Sequence, residues 1–344
     1  MLNNLVKLLF TFTLIMGTLI SISSNSWFGV WAGLEINLLS FIPLMTNSSN
    51  SLTSEASLKY FLTQALASAS LLFMVILSAL IFSTPNYLFN INLFVNTLIN
   101  STLLLKMGAA PFHFWFPGVM EGLTWMNGLT LMTWQKIAPL MLLSYGFTLN
   151  MFSSFVIISS IVVGSLGGLN QTSLRKILAY SSISHLGWLT AALIIGENFW
   201  NLYFITYSFL TLTIIIMLKT FNLSHLNQTF SFSSIHPVLK FSLFASLLSL
   251  GGLPPFLGFL PKWLVIQSLT EADLKVMITV MVTMTLITLF YYLRIGFSAF
   301  MLSYSQMTWV SLYPSLTPNY LFALILAMMS TLGLTICTFI FHLL

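Results

Sequence analysis

"LLLKMGAAPFHFW", residues 103–115, sets the problem for the whole chain. Ten of its thirteen residues are Leu, Met, Ala, Phe, Trp or Gly, and Lys106 sits among them. Gly108 and Pro111 follow, where a helix in so apolar a run would be expected to continue. Glycine and proline are the poorest helix formers. The stretch reads as an apolar helix that carries an ammonium group and breaks beside it.

The surroundings are membrane. The chain has 344 residues, 58% hydrophobic and 5% charged, with mean hydropathy +0.97. A soluble domain has about a quarter of its residues charged, so this surface belongs in lipid. The apolar runs are about 20 residues long and do not alternate polar with apolar, as barrel strands must. The expected fold class is therefore an all-α polytopic membrane protein. Spans are expected near 5–23, 27–45, 56–82, 88–122, 127–147, 150–169, 174–195, 199–221, 238–270, 274–302 and 320–342, about eleven transmembrane helices. The first has Lys7 in front and no small-residue cleavage pattern behind, and reads as a retained helix. Connectors such as "TNSSNSLTS", "STPN", "GLNQTS" and "IGEN" are short and polar. The longest loops are 222–237, with His225 and His236, and the uncharged 303–319.

The formal charge of +5 comes from scattered residues with no Lys/Arg tract, so no nucleic-acid partner is expected. The one cysteine, Cys337, excludes an intrachain disulfide and a cysteine-ligated cluster. Counting crossings from the N-terminus gathers Lys7, Lys59, Arg175, Lys176, Lys219 and Lys240 on one side. The other receives Lys275 with Glu197, Glu271 and Asp273. The basic excess puts the N-terminal side in the cytoplasm or matrix and the C-terminus opposite.

Two expected spans, 88–122 and 238–270, are too long for one straight helix, and they resemble each other. Residues 108–117 read "GAAPFHFWFP" and residues 252–261 read "GLPPFLGFLP". Without gaps, Gly108 meets Gly252, Pro111 meets Pro255, Phe112 meets Phe256 and Pro117 meets Pro261. A lysine accompanies each, Lys106 before the first and Lys262 after the second. Interrupted helices in corresponding places point to inverted repeats, here 27–147 and 150–302. Pro111 and Pro255 are expected to free the carbonyls of Met107 and Gly251, which a membrane tolerates only beside a polar cavity. A packing kink is the plain alternative.

Four charges lie away from predicted helix ends: Glu35, Lys106, Lys136 and Lys262. Each costs at least ~2.5–3.5 kcal/mol at mid-membrane. Burial disfavours the charged form of a lysine, and a nearby carboxylate restores it. A pair at ~4 Å, with an effective dielectric of ~20, is worth ~4 kcal/mol or about three pKa units. Changing the distance from Glu35 to a lysine could therefore switch the lysine between holding and releasing its proton. Arginine could not take this role, since it does not deprotonate in a protein. Pro139 frees the carbonyl of Gln135 next to Lys136. Structural ion pairing would account for Glu35 with one lysine and leave two lysines without an acid. His185, in "AYSSISHLGW" with Ser181, Ser182 and Ser184, is suited to pass protons or to bond a neighbouring helix. His113 after the first break reads as structural. Glu121 is placed at the end of the first broken helix, and Lys219 snorkels at a helix end.

The stretches "LLLKMGAAPFHFWFPGVMEGLTWMNGLTLMTWQKIAPL", "GGLNQTSLRKILAYSSISHLGW" and "SLGGLPPFLGFLPKWLVI", together with "NSWFGVWAGLEINLLSFIPL", resemble the antiporter-like, proton-translocating subunits of respiratory complex I. The resemblance covers essentially the whole chain. It implies two inverted five-helix repeats, each with a discontinuous helix, in a form shortened by three N-terminal helices. It implies a Glu–Lys pair, a central lysine and a terminal lysine along the midplane, matched here by Glu35, Lys106, Lys136 and Lys262, with His185 near that axis. It also implies a mitochondrial inner-membrane location with the N-terminus in the matrix and the C-terminus in the intermembrane space. The implied partners are the other membrane-arm subunits and phospholipids, cardiolipin being one candidate. No cofactor is expected on this chain: NADH, FMN, the iron–sulfur clusters and ubiquinone belong to other subunits. The alternatives are a stand-alone cation/proton antiporter, a heme carrier using His113 and His185, and a purely structural assembly subunit.

Overall fold

The computed structural model describes residues 2–46, 50–81, 93–229, 237–301 and 318–343. His236, the "STPN" connector, most of the 303–319 loop and residues 88–92 lie outside the described residues, as does the side chain of Cys337. The described residues form fourteen α-helices and one 3-10 turn, and the chain divides into two compact units, 1–156 and 157–344.

The first unit holds α1 (Leu2–Ser23), α2 (Trp27–Met45), α3 (Ser51–Ile81), α4 (Leu93–Met107), α5 (Trp115–Gly122), α6 (Trp125–Met132), α7 (Trp134–Ser144) and the start of α8 (Met151–Gly168). The second holds the rest of α8, then α9 (Leu174–Ile195), α10 (Glu197–Thr220), α11 (Pro237–Gly251), α12 (Phe259–Glu271), α13 (Lys275–Met301) and α14 (Pro318–Leu343). Among the described residues α1, α2, α3, α8, α9, α10 and α13 are long and apolar enough to cross a membrane. The other four expected spans fall on α4 with α5, α6 with α7, α11 with α12, and α14. The protein is an all-α polytopic membrane protein. Leu66 and Leu80 on α3 and Val276 on α13 are 70–77% exposed, as hydrocarbon-facing side chains should be.

Within the first unit, α1 and α2 cross backbone to backbone. A Cβ on Gly33 would come within 2.9 Å of the Gly17 carbonyl, and one on Gly17 within 2.9 Å of the Asn37 amide. Small residues permit such crossings, and dispersion rather than hydrophobic exclusion holds helices together in lipid. Tyr60 of α3 is buried between Phe41 of α2, 5.3 Å away edge-on, and Trp115 of α5, 5.8 Å away. Asn96 and Asn100 of α4 both donate to the Gly146 carbonyl beyond α7, at 2.8 and 3.1 Å.

In the second unit α9 is the central helix, with every residue from Ser181 through Leu193 buried. Arg294 of α13 donates to the Leu169 and Gln171 carbonyls just past α8, at 2.7 and 3.1 Å. That satisfies groups a helix end leaves open.

Candidate functional site

The first break is made by glycine rather than by proline. α4 stops at Met107, and Gly108 takes φ +76°. The Gly108 amide donates to the Leu105 carbonyl at 3.1 Å and the Ala109 amide to that of Leu104 at 3.1 Å. This is a Schellman cap, which needs a residue in the left-handed region. Pro111 follows an already closed helix, so its role is to prevent continuation. Side chains cover further carbonyls: Gln64 Nε2 donates to Lys106 O at 3.1 Å, and Trp115 Nε1 to Leu105 O at 3.1 Å. Lys106 is therefore in the last turn of α4, 8% exposed, where the helix dipole favours a cation. The Glu35 carboxylate on α2 acts on it through space, and Glu35 Oε2 is buried with no hydrogen-bond partner.

Lys136 sits at a break that the 127–147 span was not expected to have. α6 ends at Met132 and α7 starts at Trp134. Between them Thr133 takes φ −111°, ψ −68°, and both its amide and its hydroxyl donate to the Leu129 carbonyl, at 3.0 and 2.8 Å. A threonine hydroxyl that bonds back to the preceding turn bends a helix, and Pro139 one turn further on prevents the next bond. Lys136 is thus the third residue of α7 and 1% exposed. Its Nζ lies 5.2 Å from the centroid of the Phe116 ring on α5, within cation–π range. The neighbouring Gln135 donates to Asn37 Oδ1 of α2 at 3.0 Å.

The second break repeats the first. α11 stops at Gly251, and Gly252 takes φ +83°. The Gly252 amide donates to Ser249 O at 3.0 Å and the Leu253 amide to Leu248 O at 3.5 Å. The next turns also correspond: Phe112 donates to Ala109 and Phe256 to Leu253, while Phe116 donates to His113 and Leu260 to Leu257. Pro117 and Pro261 each occupy the third position of the outgoing helix. Lys262, 7% exposed, follows as the fourth residue of α12. Its Nζ donates back across the break to the Gly251 carbonyl at 2.7 Å. That is the carbonyl which Pro255 was expected to free. The lysine stem lies against Gly252, where a Cβ would come within 2.9–3.2 Å of it.

His185 is buried on α9 and its Nδ1 is 2.9 Å from the Tyr203 hydroxyl of α10. Its ring is 5.1 Å from that of Tyr207. His113 is buried beside the first break, with Nδ1 3.3 Å from Pro111 O and its ring 4.2 Å from that of Phe114. Glu121 lies in the last turn of α5 and Lys219 in that of α10, both exposed.

Glu35, Lys106 and Lys136 thus belong to the first unit, and His185 and Lys262 to the second. Sequence reading missed the groups that hold them: Gln64, Trp115, Phe116, the Asn37–Gln135 pair and the Tyr203 partner. For Asn37 and Gln64 the signal was present, an amide inside an apolar span. Aromatic partners give no such signal in so aromatic a chain.

A family model described as "NADH:quinone oxidoreductase/Mrp antiporter, TM" matches residues 24–288. The chain is 59% identical over 303 residues to a protein of Anopheles gambiae named NADH-ubiquinone oxidoreductase chain 2, covering 88% of each. It is similar in structure to a chain of respiratory complex I from Thermus thermophilus, with TM-score 0.82, 25% identity, and coverage of 96% of this chain and 77% of that one. A chain of the Mrp complex from Dietzia superposes with TM-score 0.80 at 17% identity, covering 96% of this chain and 75% of that one.

Proposed function

The chain belongs to the NADH:quinone oxidoreductase/Mrp antiporter family, among the NADH-ubiquinone oxidoreductase chain 2 proteins, and on that premise we propose that its buried lysines are the stations of a proton relay. The protein is a proton-translocating membrane subunit of complex I, the H+-translocating NADH:ubiquinone reductase, and its partners are other subunits of that complex. The likeness to the Mrp complex is one of fold, and gives a stand-alone antiporter no further weight.

One observation carries the relay reading. Lys106, Lys136 and Lys262 are at most 8% exposed, and each stands within four residues of a helix interruption. An ammonium in an apolar bundle is costly, and an interrupted helix supplies the backbone dipoles that offset the cost. Each lysine can then hold a proton against a carbonyl, a carboxylate or a ring face, and release it when that partner moves away. Among the described residues Glu35 is the acid that acts on Lys106, so its movement would set the charge there. The shared backbone of the two breaks supports inverted repeats at 27–147 and 150–302. The Lys/Arg bias and the relatives named NADH-ubiquinone oxidoreductase chain 2 support a place in the mitochondrial inner membrane with the N-terminus in the matrix.

The test uses the assembled complex in proteoliposomes. Lys136→Met should leave assembly intact and lower coupled proton pumping about a hundredfold, as loss of a proton-transfer group does. Lys136→Arg should fail in the same way, because a guanidinium keeps its proton. If both variants assemble and pump at the wild-type rate, Lys136 is not a station.

A further inference from the structure

The broken helix that carries Lys136 is tied, on both sides of its break, to the helix that carries Glu35. Before the break, Asn127 Nδ2 of α6 donates to the Leu44 carbonyl of α2 at 2.8 Å. After it, Gln135 Nε2 of α7 donates to Asn37 Oδ1 of α2 at 3.0 Å. Helices in lipid can associate through small residues and dispersion alone, as α1 and α2 do at Gly17 and Gly33. Polar side chains at that depth are expensive. Their use here therefore requires a reason beyond adhesion.

The two ties hold different things. Leu44 lies in the last turn of α2, where a carbonyl is left open in any helix. Asn37 is a core position, 3% exposed. It is fixed from behind: a Cβ on Gly17 of α1 would come within 2.9 Å of its amide nitrogen, and its carbonyl also accepts the Ser40 hydroxyl at 2.8 Å. Its side chain leaves α2 two residues past Glu35, about 3 Å of helix rise. Gln135 adjoins Lys136 in a thinly bonded first turn. That turn is closed by the Lys136 amide on the Thr133 carbonyl at 3.2 Å, and Pro139 has no amide to offer the Gln135 carbonyl. The amide bond thus joins a well-fixed point beside Glu35 to a weakly held turn beside Lys136.

We propose that the Asn37–Gln135 bond makes the first turn of α7 follow α2, so that a movement of Glu35 relative to Lys106 also repositions Lys136. Asn37 and Gln135 are then positioning residues for Lys136. The inference rests on the relay reading above and adds a mechanical link between the acid of that relay and its central lysine. The distances make the link tight. A hydrogen bond at 3.0 Å is lost beyond about 3.5 Å. A shift of α2 by about 1 Å therefore either drags the turn or breaks the bond. Lys136 Nζ is 5.2 Å from the Phe116 centroid, and the hold of a ring on a cation fades near 6 Å. A drag of that size is enough to change how the ring holds the ammonium.

The experiment uses the assembled complex in proteoliposomes and reads two quantities, protons pumped per NADH oxidised and the temperature of inactivation. Asn37→Leu and Gln135→Met nearly keep the shape of each side chain and delete the bond. Either alone strands the partner amide and should lower both quantities. The double variant strands neither, and replacing both partners of a bond by apolar groups is close to neutral for stability. Its inactivation temperature should return towards wild type. Its pumping per NADH should stay down about tenfold, short of the roughly hundredfold that a misplaced reacting group can cost. The double variant also serves where a single variant does not assemble. Asn127→Leu cuts the other tie, and should lower the inactivation temperature with pumping unchanged. A double variant that pumps as wild type would reduce the bond to packing, and so would a loss of pumping in Asn127→Leu equal to that in Gln135→Met; either result overturns the coupling. Lys136→Met separates that outcome from a failure of the relay reading. If it stops pumping while the double variant pumps normally, the relay stands without the link. If it pumps as wild type, the relay fails at Lys136 and the link fails with it.

Discussion

At the first helix break Lys106 stands inside the incoming helix, one residue before its end; at the second, Lys262 waits in the outgoing helix and reaches back. The backbones share their closing caps and following turns, with Gly108 and Gly252 in the left-handed region, although the cis peptide Ala110–Pro111 belongs to the first alone among the described residues. The charges do not match: the position of Lys106 corresponds to Leu250, and that of Lys262 to Gly118. Both ammonium groups nevertheless belong to the C-terminal end of the incoming half-helix, Lys106 by position and Lys262 by its bond to Gly251 O. That end carries about half a negative charge. One backbone device thus serves two electrostatic solutions. The first lysine also answers to a carboxylate, Glu35, while no carboxylate among the described residues pairs with the second.

Glu35→Gln tests that difference most severely. It keeps the shape of the side chain and, among the described residues, removes the carboxylate that acts on Lys106. Losing roughly 2 kcal/mol of pairing should slow coupled pumping about thirtyfold. Among the described residues the second break has no acid whose neutralisation would do the same. If Glu35→Gln pumps normally in the assembled complex, the two lysines are alike and both depend on backbone dipoles alone.

Gly252→Ala and Gly108→Ala come next. Each forces a Cβ into the left-handed region at a cost of about 1–2 kcal/mol. The collisions differ. At Gly108 the new methyl meets Phe116 and Trp115 at 3.1–3.3 Å, while at Gly252 it meets the Lys262 stem and Nζ at 2.9–3.2 Å. Thermal inactivation of the complex should therefore shift by similar amounts in the two variants. Only Gly252→Ala should displace a lysine directly, and it should show the larger loss of pumping per NADH oxidised. Equal losses would mean that the Lys262–Gly251 bond is not used.

Much of this was legible before the structure. Apolar runs gave the helices, because a lipid-embedded backbone has to satisfy itself within each helix. Lone charges in those runs gave Glu35, Lys106, Lys136 and Lys262, because their cost in oil makes them conspicuous. The repeat around Pro111 and Pro255 was visible, with glycine and proline together read as its cause; the division of labour was not, since Gly108 and Gly252 close the helices before the prolines are reached. The interruption at Thr133 was not legible, since it depends on which way a threonine hydroxyl turns. The aromatic supports were not legible either. Whether Phe116 lies under Lys136, or Tyr203 against His185, depends on tertiary packing, and a chain with 31 phenylalanines and 11 tyrosines gives no hint of which ring matters.

The smallest expected effect comes from making one break imitate the other. Trp115 and Phe259 occupy corresponding positions, the first residue of each outgoing helix. Trp115 donates its Nε1–H to the Leu105 carbonyl at 3.1 Å, and a phenylalanine cannot. Trp115→Phe keeps an aromatic ring against Tyr60 and Phe116, at 5.8 and 5.4 Å, and deletes the bond. The Leu105 carbonyl retains the Gly108 amide, so it is not orphaned. The cost should be about 1 kcal/mol of stability, the ordinary net worth of a hydrogen bond, read as a modest drop in the inactivation temperature of the complex. Pumping per NADH should be unchanged, because Lys106 keeps Gln64 on its carbonyl and Glu35 acting on its charge. A large loss of pumping at unchanged stability would show that the Trp115 bond sets the attitude of the whole last turn of α4, and with it the reach of Lys106. The two breaks would then differ in how rigidly they hold their lysines, as well as in where they keep them.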